Sequence, residues 1–177
     1  MKKILLMTFA AVLAAAASHA VDFGFGAFGG AVIPIAQEDQ GEGGVFGFRG
    51  QVSVLPGLVV EPNVSFAKFG DSEFDFGTRE GTKITSYGAE ILIGARPGQV
   101  GFGMFGIIGA GAYSMSRLLS SEDVTKFGFS TGVGFSVGLM PKFGLDLRGK
   151  VDVISSEGGG TKKSAAVIGG LNYYPGF

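Results

Sequence analysis

The strongest constraint in this chain is a two-residue rhythm. In the segment 143–153, Phe143, Leu145, Leu147, Val151 and Val153 share one parity. Gly144, Asp146, Arg148, Lys150 and Asp152 share the other. Successive side chains of a strand point to opposite faces, so such a segment is a strand with two unlike faces. The same rhythm sets Phe46, Phe48, Val52 and Val54 against Gly47, Arg49, Gln51 and Ser53. It sets Leu58, Val60, Val64 and Phe66 against Glu61, Asn63 and Ser65. It sets Phe127, Phe129, Val133, Phe135, Val137 and Leu139 against Gly128, Ser130, Gly132, Gly134, Ser136 and Gly138. Thirty-three of the 177 residues are glycine. Each costs about 1 kcal/mol inside a helix, which excludes a mostly helical domain. A hydrophobic content of 46% excludes a disordered glycine-rich chain.

The first twenty residues lie outside this pattern. A basic start at Lys2 and Lys3 leads into an apolar run from Ile4 to Ala17, closed by Ser18-His19-Ala20. That is the order of a secretory signal peptide, with cleavage expected after Ala20. The run is too short to span a bilayer as a helix, which takes about 20 apolar residues. Residues 21–177 then form the exported domain. Lys2 and Lys3 leave with the leader, so the 12 remaining basic residues face 15 acidic ones, a net charge of −3. That balance argues against nucleic acid as a partner.

Four further strands are read less cleanly over 21–33, 83–95, 99–115 and 164–174. Their apolar faces carry Phe23, Phe25, Ala27 and Ile33; Tyr87, Ala89, Ile91 and Ile93; Val100, Phe102, Met104 and Ile108; and Val167, Leu171 and Tyr173. Connections alternate between long polar stretches at 36–44, 70–81, 117–125 and 155–163 and tight ones at 55–58, 96–99 and 140–143. Proline presets φ and glycine tolerates positive φ, which suits Pro56-Gly57 and Pro97-Gly98 to turns. Eight strands joined in this way predict an all-β fold: an eight-stranded antiparallel up-and-down β-barrel, with both termini at the tight-turn end.

Alternation leaves open which face is buried, since a secreted lipocalin-like barrel alternates too. Strands of 10–13 residues tilted by about 45° match the roughly 25 Å apolar band of an outer membrane. The polar parity is rich in Gly and Ser rather than in the charges of a soluble surface. Long connections gather at one end and tight ones at the other. With its leader, its eight strands and its terminal aromatic, the chain resembles the small eight-stranded outer-membrane barrels, the OmpA/OmpX/OmpW-like group of Gram-negative bacteria. The resemblance implies a monomeric transmembrane barrel in the outer membrane, in contact with its lipid and lipopolysaccharide. It also implies a C-terminal strand read by the barrel-assembly machinery, here through Leu171, Tyr173 and Phe177. Pro175 departs from the aromatic usual two residues before the end.

Arg49, Glu61, Glu90, Asp146, Arg148, Lys150 and Asp152 fall on the parity assigned to the interior. An eight-stranded barrel is just wide enough for side chains to fill, so these are expected to pair as a charge network that plugs the lumen. A narrow polar passage is the alternative. Two G-x-G-x-x-G strings, Gly24–Gly29 and Gly101–Gly106, lie within strands and open no helix, so they lack the context of a dinucleotide site. They belong to an internal echo that also pairs Phe46-Gly47-Phe48 with Phe127-Gly128-Phe129, and Glu61 with Asp146. Asp71, Glu73 and Asp75 start like a calcium loop, but Phe76 and Thr82 stand where it requires Gly and Glu. The only His is His19 and there is no Cys, so the exported chain has no Ser-His or Cys-His pair and no His-ligated metal. The expectation is a barrel without enzymatic activity or cofactor, serving membrane integrity or surface contact. A narrow channel and a soluble ligand-binding barrel are the alternatives.

Overall fold

Segments with two unlike faces must bury one of them, and closing the sheet on itself does so while leaving no unpaired edge. A computed structural model describes residues 23–35, 41–70, 72–74, 77–79, 81–95, 100–116, 124–155 and 160–175. Among these described residues ten strands follow in chain order: β1 (Phe23–Ile35), β2 (Gly41–Leu55), β3 (Leu58–Gly70), β4 (Ser72–Phe74), β5 (Gly77–Arg79), β6 (Lys83–Ile93), β7 (Gly101–Ser116), β8 (Val124–Met140), β9 (Phe143–Ser155) and β10 (Thr161–Tyr173). Eight of them close a barrel in the order β1-β10-β9-β8-β7-β6-β3-β2, every neighbour antiparallel. This is the expected up-and-down barrel. No helix occurs among the described residues.

Two features differ from the sequence reading. The long connection 70–81 contains a hairpin of its own, β4 paired with β5. Strands also run further toward the long-connection end than hydropathy suggests: β2 starts at Gly41, β3 continues to Gly70, β8 starts at Val124 and β10 at Thr161. The cause is that ladder hydrogen bonds need only backbone, whereas an apolar parity is needed only where lipid or core must be met. At the other end Pro56 and Gly57 make the β2–β3 turn, with Gly57 at φ 78° and its carbonyl accepting from Gly94 N at 2.7 Å. The leader, the 96–99 turn and Phe177 lie outside the described residues.

The faces are sorted as the membrane reading requires. Phe46, Phe48, Leu145 and Leu147 point outward, 58%, 57%, 44% and 55% exposed. Arg49, Glu61, Asp146 and Arg148 on the opposite parity are buried. Outward aromatics pack on one another across strands, as in Phe46 on Phe66 and Phe102 on Phe135. This is the reverse of a lipocalin-like barrel, whose apolar residues line the interior.

Candidate functional site

The interior is layered. Toward the tight turns lies an apolar layer of Val59, Leu92, Ala95, Phe105 and Ile107. Toward the long connections lie Val32, Phe69, Ala166 and Ile168, and beside them Tyr113, Met115 and Ile154. Between these layers the seven charged side chains singled out in the sequence meet.

Strand register explains how. Glu61 on β3 and Glu90 on β6 are direct cross-strand partners. Like charges so placed repel, and in a low-dielectric interior they need a cation. Arg148 supplies it from β9, three strands from β6 and four from β3 around the ring, on the wall opposite Glu61. Its guanidinium donates to both Glu61 oxygens, Nη1 to Oε1 at 2.6 Å and Nη2 to Oε2 at 2.8 Å. Nη1 also reaches Glu90 Oε2 at 3.5 Å, and Nε donates to Asp146 Oδ1 at 3.0 Å. This bidentate fork is the geometry that guanidinium offers and ammonium cannot. Arg148 and Glu61 are each 1% exposed.

Arg49 braces the neighbouring sector. Its Nη2 lies 2.9 Å from Asp146 Oδ2, its Nε donates to Asn172 Oδ1 at 3.1 Å, and Nη1 stands 3.8 Å from Glu61 Oε1. Lys150 pairs with Glu90 at 2.9 Å and Asp152 at 3.5 Å. Each arginine also rests on a ring: Arg49 on Phe28 at 5.1 Å, Arg148 on Phe105 at 5.2 Å. Phe28 and Phe105 are equivalent positions of the internal echo, and both point inward.

Glycine makes room for this. A Cβ on Gly170 would coincide with the Arg49 guanidinium, and one on Gly134 would strike the Phe105 ring. Inward glycine is therefore a mould for the large side chains opposite it.

Several participants were not singled out in the sequence. Gln51 donates to Glu61 Oε2 at 2.7 Å, Asn172 to Asp146 Oδ2 at 2.6 Å, and the Tyr113 hydroxyl to Asp152 at 3.0 Å. The signal for Phe28 and Phe105 was present: an aromatic on the parity that otherwise carries Gly and charge. Leu171 and Tyr173 point outward at the end of β10, with Tyr173 packed on Phe143 at 5.1 Å between ring centres.

Two small cavities lie among the described interior residues. A cavity of about 10 Å³ lies between Asn63, Ser86, Glu90, Tyr113, Ser130 and Lys150, room for a single water. A second of about 10 Å³ lies near Phe69 and Ile154. No group of His, Cys, Asp and Glu suited to a metal occurs among the described residues. Asp71 and Asp75 lie outside those residues.

Solved structures share this architecture. Neisserial surface protein A superimposes with a TM-score of 0.67 at 13% identity, over 88% of this chain and 97% of that one. A major outer membrane protein from Thermus thermophilus gives 0.54 at 15% identity, over 88% and 100%. The N-terminal β-barrel domain of Pseudomonas aeruginosa OprF gives 0.50 at 18% identity, over 85% and 96%. At such identities the likeness is one of fold: this chain has the fold of small outer-membrane barrels. No protein-family model and no curated protein matches the chain.

Proposed function

We propose that this chain is an integral barrel of the bacterial outer membrane with a non-enzymatic role, as a structural element that carries its long connections for surface contact. The single observation behind this reading is the inverted sorting of faces: Phe, Leu and Val outward, a buried network of ion pairs inward. An apolar belt of that extent is stable only against lipid, because monomeric soluble proteins expose far smaller patches. The fold shared with outer-membrane proteins supports the same reading. In this reading the leader is cleaved after Ala20, and Leu171, Tyr173 and Phe177 present the last strand to the assembly machinery.

Absence of catalysis rests on inventory. Beyond the leader there is neither His nor Cys. Glu61 and Glu90 are bound to Arg148 and Lys150 in a closed interior. Conduction is disfavoured by the buried charged and apolar side chains that occupy the interior. Fractionation tests the location: the protein is expected in the outer-membrane pellet after carbonate extraction, and recovery in the soluble periplasm overturns the proposal. Planar-bilayer recording tests the sealed lumen: no unitary steps are expected, and reproducible ion conductance overturns it.

A further inference from the structure

The geometry points to an anion site on the outer wall of the barrel, formed by Lys68 and Lys83, that takes the phosphate groups of an outer-leaflet glycolipid. This rests on the outer-membrane reading above. Lys68 on β3 and Lys83 on β6 are direct cross-strand partners, both outward-facing and exposed. Side chains so placed have Cβ atoms about 5 Å apart, and like charges there repel. No ion pair of either lysine occurs among the described residues. Glu42, the outward carboxylate on β2, pairs with neither of them.

The surroundings fit a phosphorylated sugar. In register beside Lys83 stands Ser116 on β7. One step toward the tight turns, Thr85 pairs with Ser114, and Ser114 with Thr125. All four hydroxyl residues share the outward parity, so two ammonium groups and four hydroxyls form one patch across β3, β6, β7 and β8. Directly below Lys68 the belt begins, with Phe66 stacked on Phe46 at 5.1 Å.

Depth decides the occupant. Ten residues separate Leu58 from Lys68, and ten separate Ile93 from Lys83. At about 3.4 Å per residue and a tilt of about 45°, that is about 24 Å above the tight turns. The apolar band of an outer membrane is about 25 Å tall. Both lysines therefore sit at the headgroup level of the outer leaflet. They face sideways, toward lipid phosphate rather than toward a soluble polyanion arriving from above. Lys163 on β10 is the contrast: exposed and also ten residues from its strand's end, but flanked by Ile35 and Val153.

The test uses the full exported chain in phosphatidylcholine nanodiscs, titrated with bisphosphorylated lipid A and read by native mass spectrometry. Dephosphorylated lipid A and soluble heparin are the comparison probes. Wild-type protein is expected to retain the bisphosphorylated lipid and not the dephosphorylated one. The Lys68→Gln/Lys83→Gln variant should bind it roughly 30-fold more weakly, about fivefold for each lysine at an anionic surface. Lys163→Gln should match wild type. Equal binding by the double variant, equal retention of dephosphorylated lipid, or tighter lysine-dependent binding of heparin overturns the site. A chain that inserts but binds no lipid A refutes this site alone; one that fails to insert refutes the outer-membrane reading with it.

Discussion

Arg148→Met removes the hub of the interior. Five hydrogen bonds disappear, two to Glu61, two to Asp146 and one to Glu90. Three cations balancing four carboxylates become two cations facing four, with Glu61 and Glu90 left as direct cross-strand neighbours. Methionine fills much of the volume, so the loss is electrostatic rather than a cavity. Breaking a buried pair on one side costs about 3–5 kcal/mol. With a urea slope of about 2 kcal/mol/M, the unfolding midpoint should fall by about 2 M. The chain has no tryptophan, so far-UV circular dichroism in phospholipid vesicles is the suitable readout. Lys142→Gln, at an exposed turn, should change stability by less than about 0.5 kcal/mol. Glu61→Gln added to Arg148→Met should cost less than the two single losses together, by about 1–3 kcal/mol. A midpoint within error of wild type, or strict additivity, would refute the claim that this network holds the barrel closed.

Other consequences follow from particular contacts. Gly170→Ala drives a Cβ into the Arg49 guanidinium and should cost about 1–3 kcal/mol in the same titration. Gly149→Ala, where an added Cβ meets nothing within 4 Å, should leave the midpoint in place. Phe48→Arg places a charge in the lipid-facing belt and should cost about 2–4 kcal/mol in vesicles; a neutral outcome would speak for a water-facing exterior. Tyr113→Phe removes one hydrogen bond to Asp152 but leaves its contact with Lys150, so a loss of about 1 kcal/mol is expected.

Parity carried most of what the sequence revealed. Phe46-Gly47-Phe48-Arg49 and Leu145-Asp146-Leu147-Arg148 state the strand, its two faces and the inward charge in four residues each. What parity cannot state is which inward residues meet. Glu61 and Arg148 lie on opposite walls, and only closure and stagger of the ring bring them together. The partners of Gln51, Asn172 and Tyr113 are not legible in the sequence, because an uncharged polar residue on a Gly- and Ser-rich parity carries no mark of what it meets. Phe28 and Phe105 are marked by parity but not by hydropathy: a barrel interior accepts a ring beside a charge, so an apolar residue is not by itself an outward one. Strand ends at Gly41, Gly70 and Thr161 were set by ladder hydrogen bonds that no side-chain pattern records.

The central claim is the direction of the two faces. The sequence has no cysteine, so single cysteines can be placed at 46, 47, 48 and 49 and at 145, 146, 147 and 148, each carrying a spin label. Electron paramagnetic resonance in bilayers, with oxygen as the lipid-phase relaxant and a nickel chelate as the aqueous one, reads the environment of each. The account predicts a period of two: high oxygen access at 46, 48, 145 and 147, and low access to both relaxants at the other four. The opposite phase, or nickel access at 46 and 48, would contradict it.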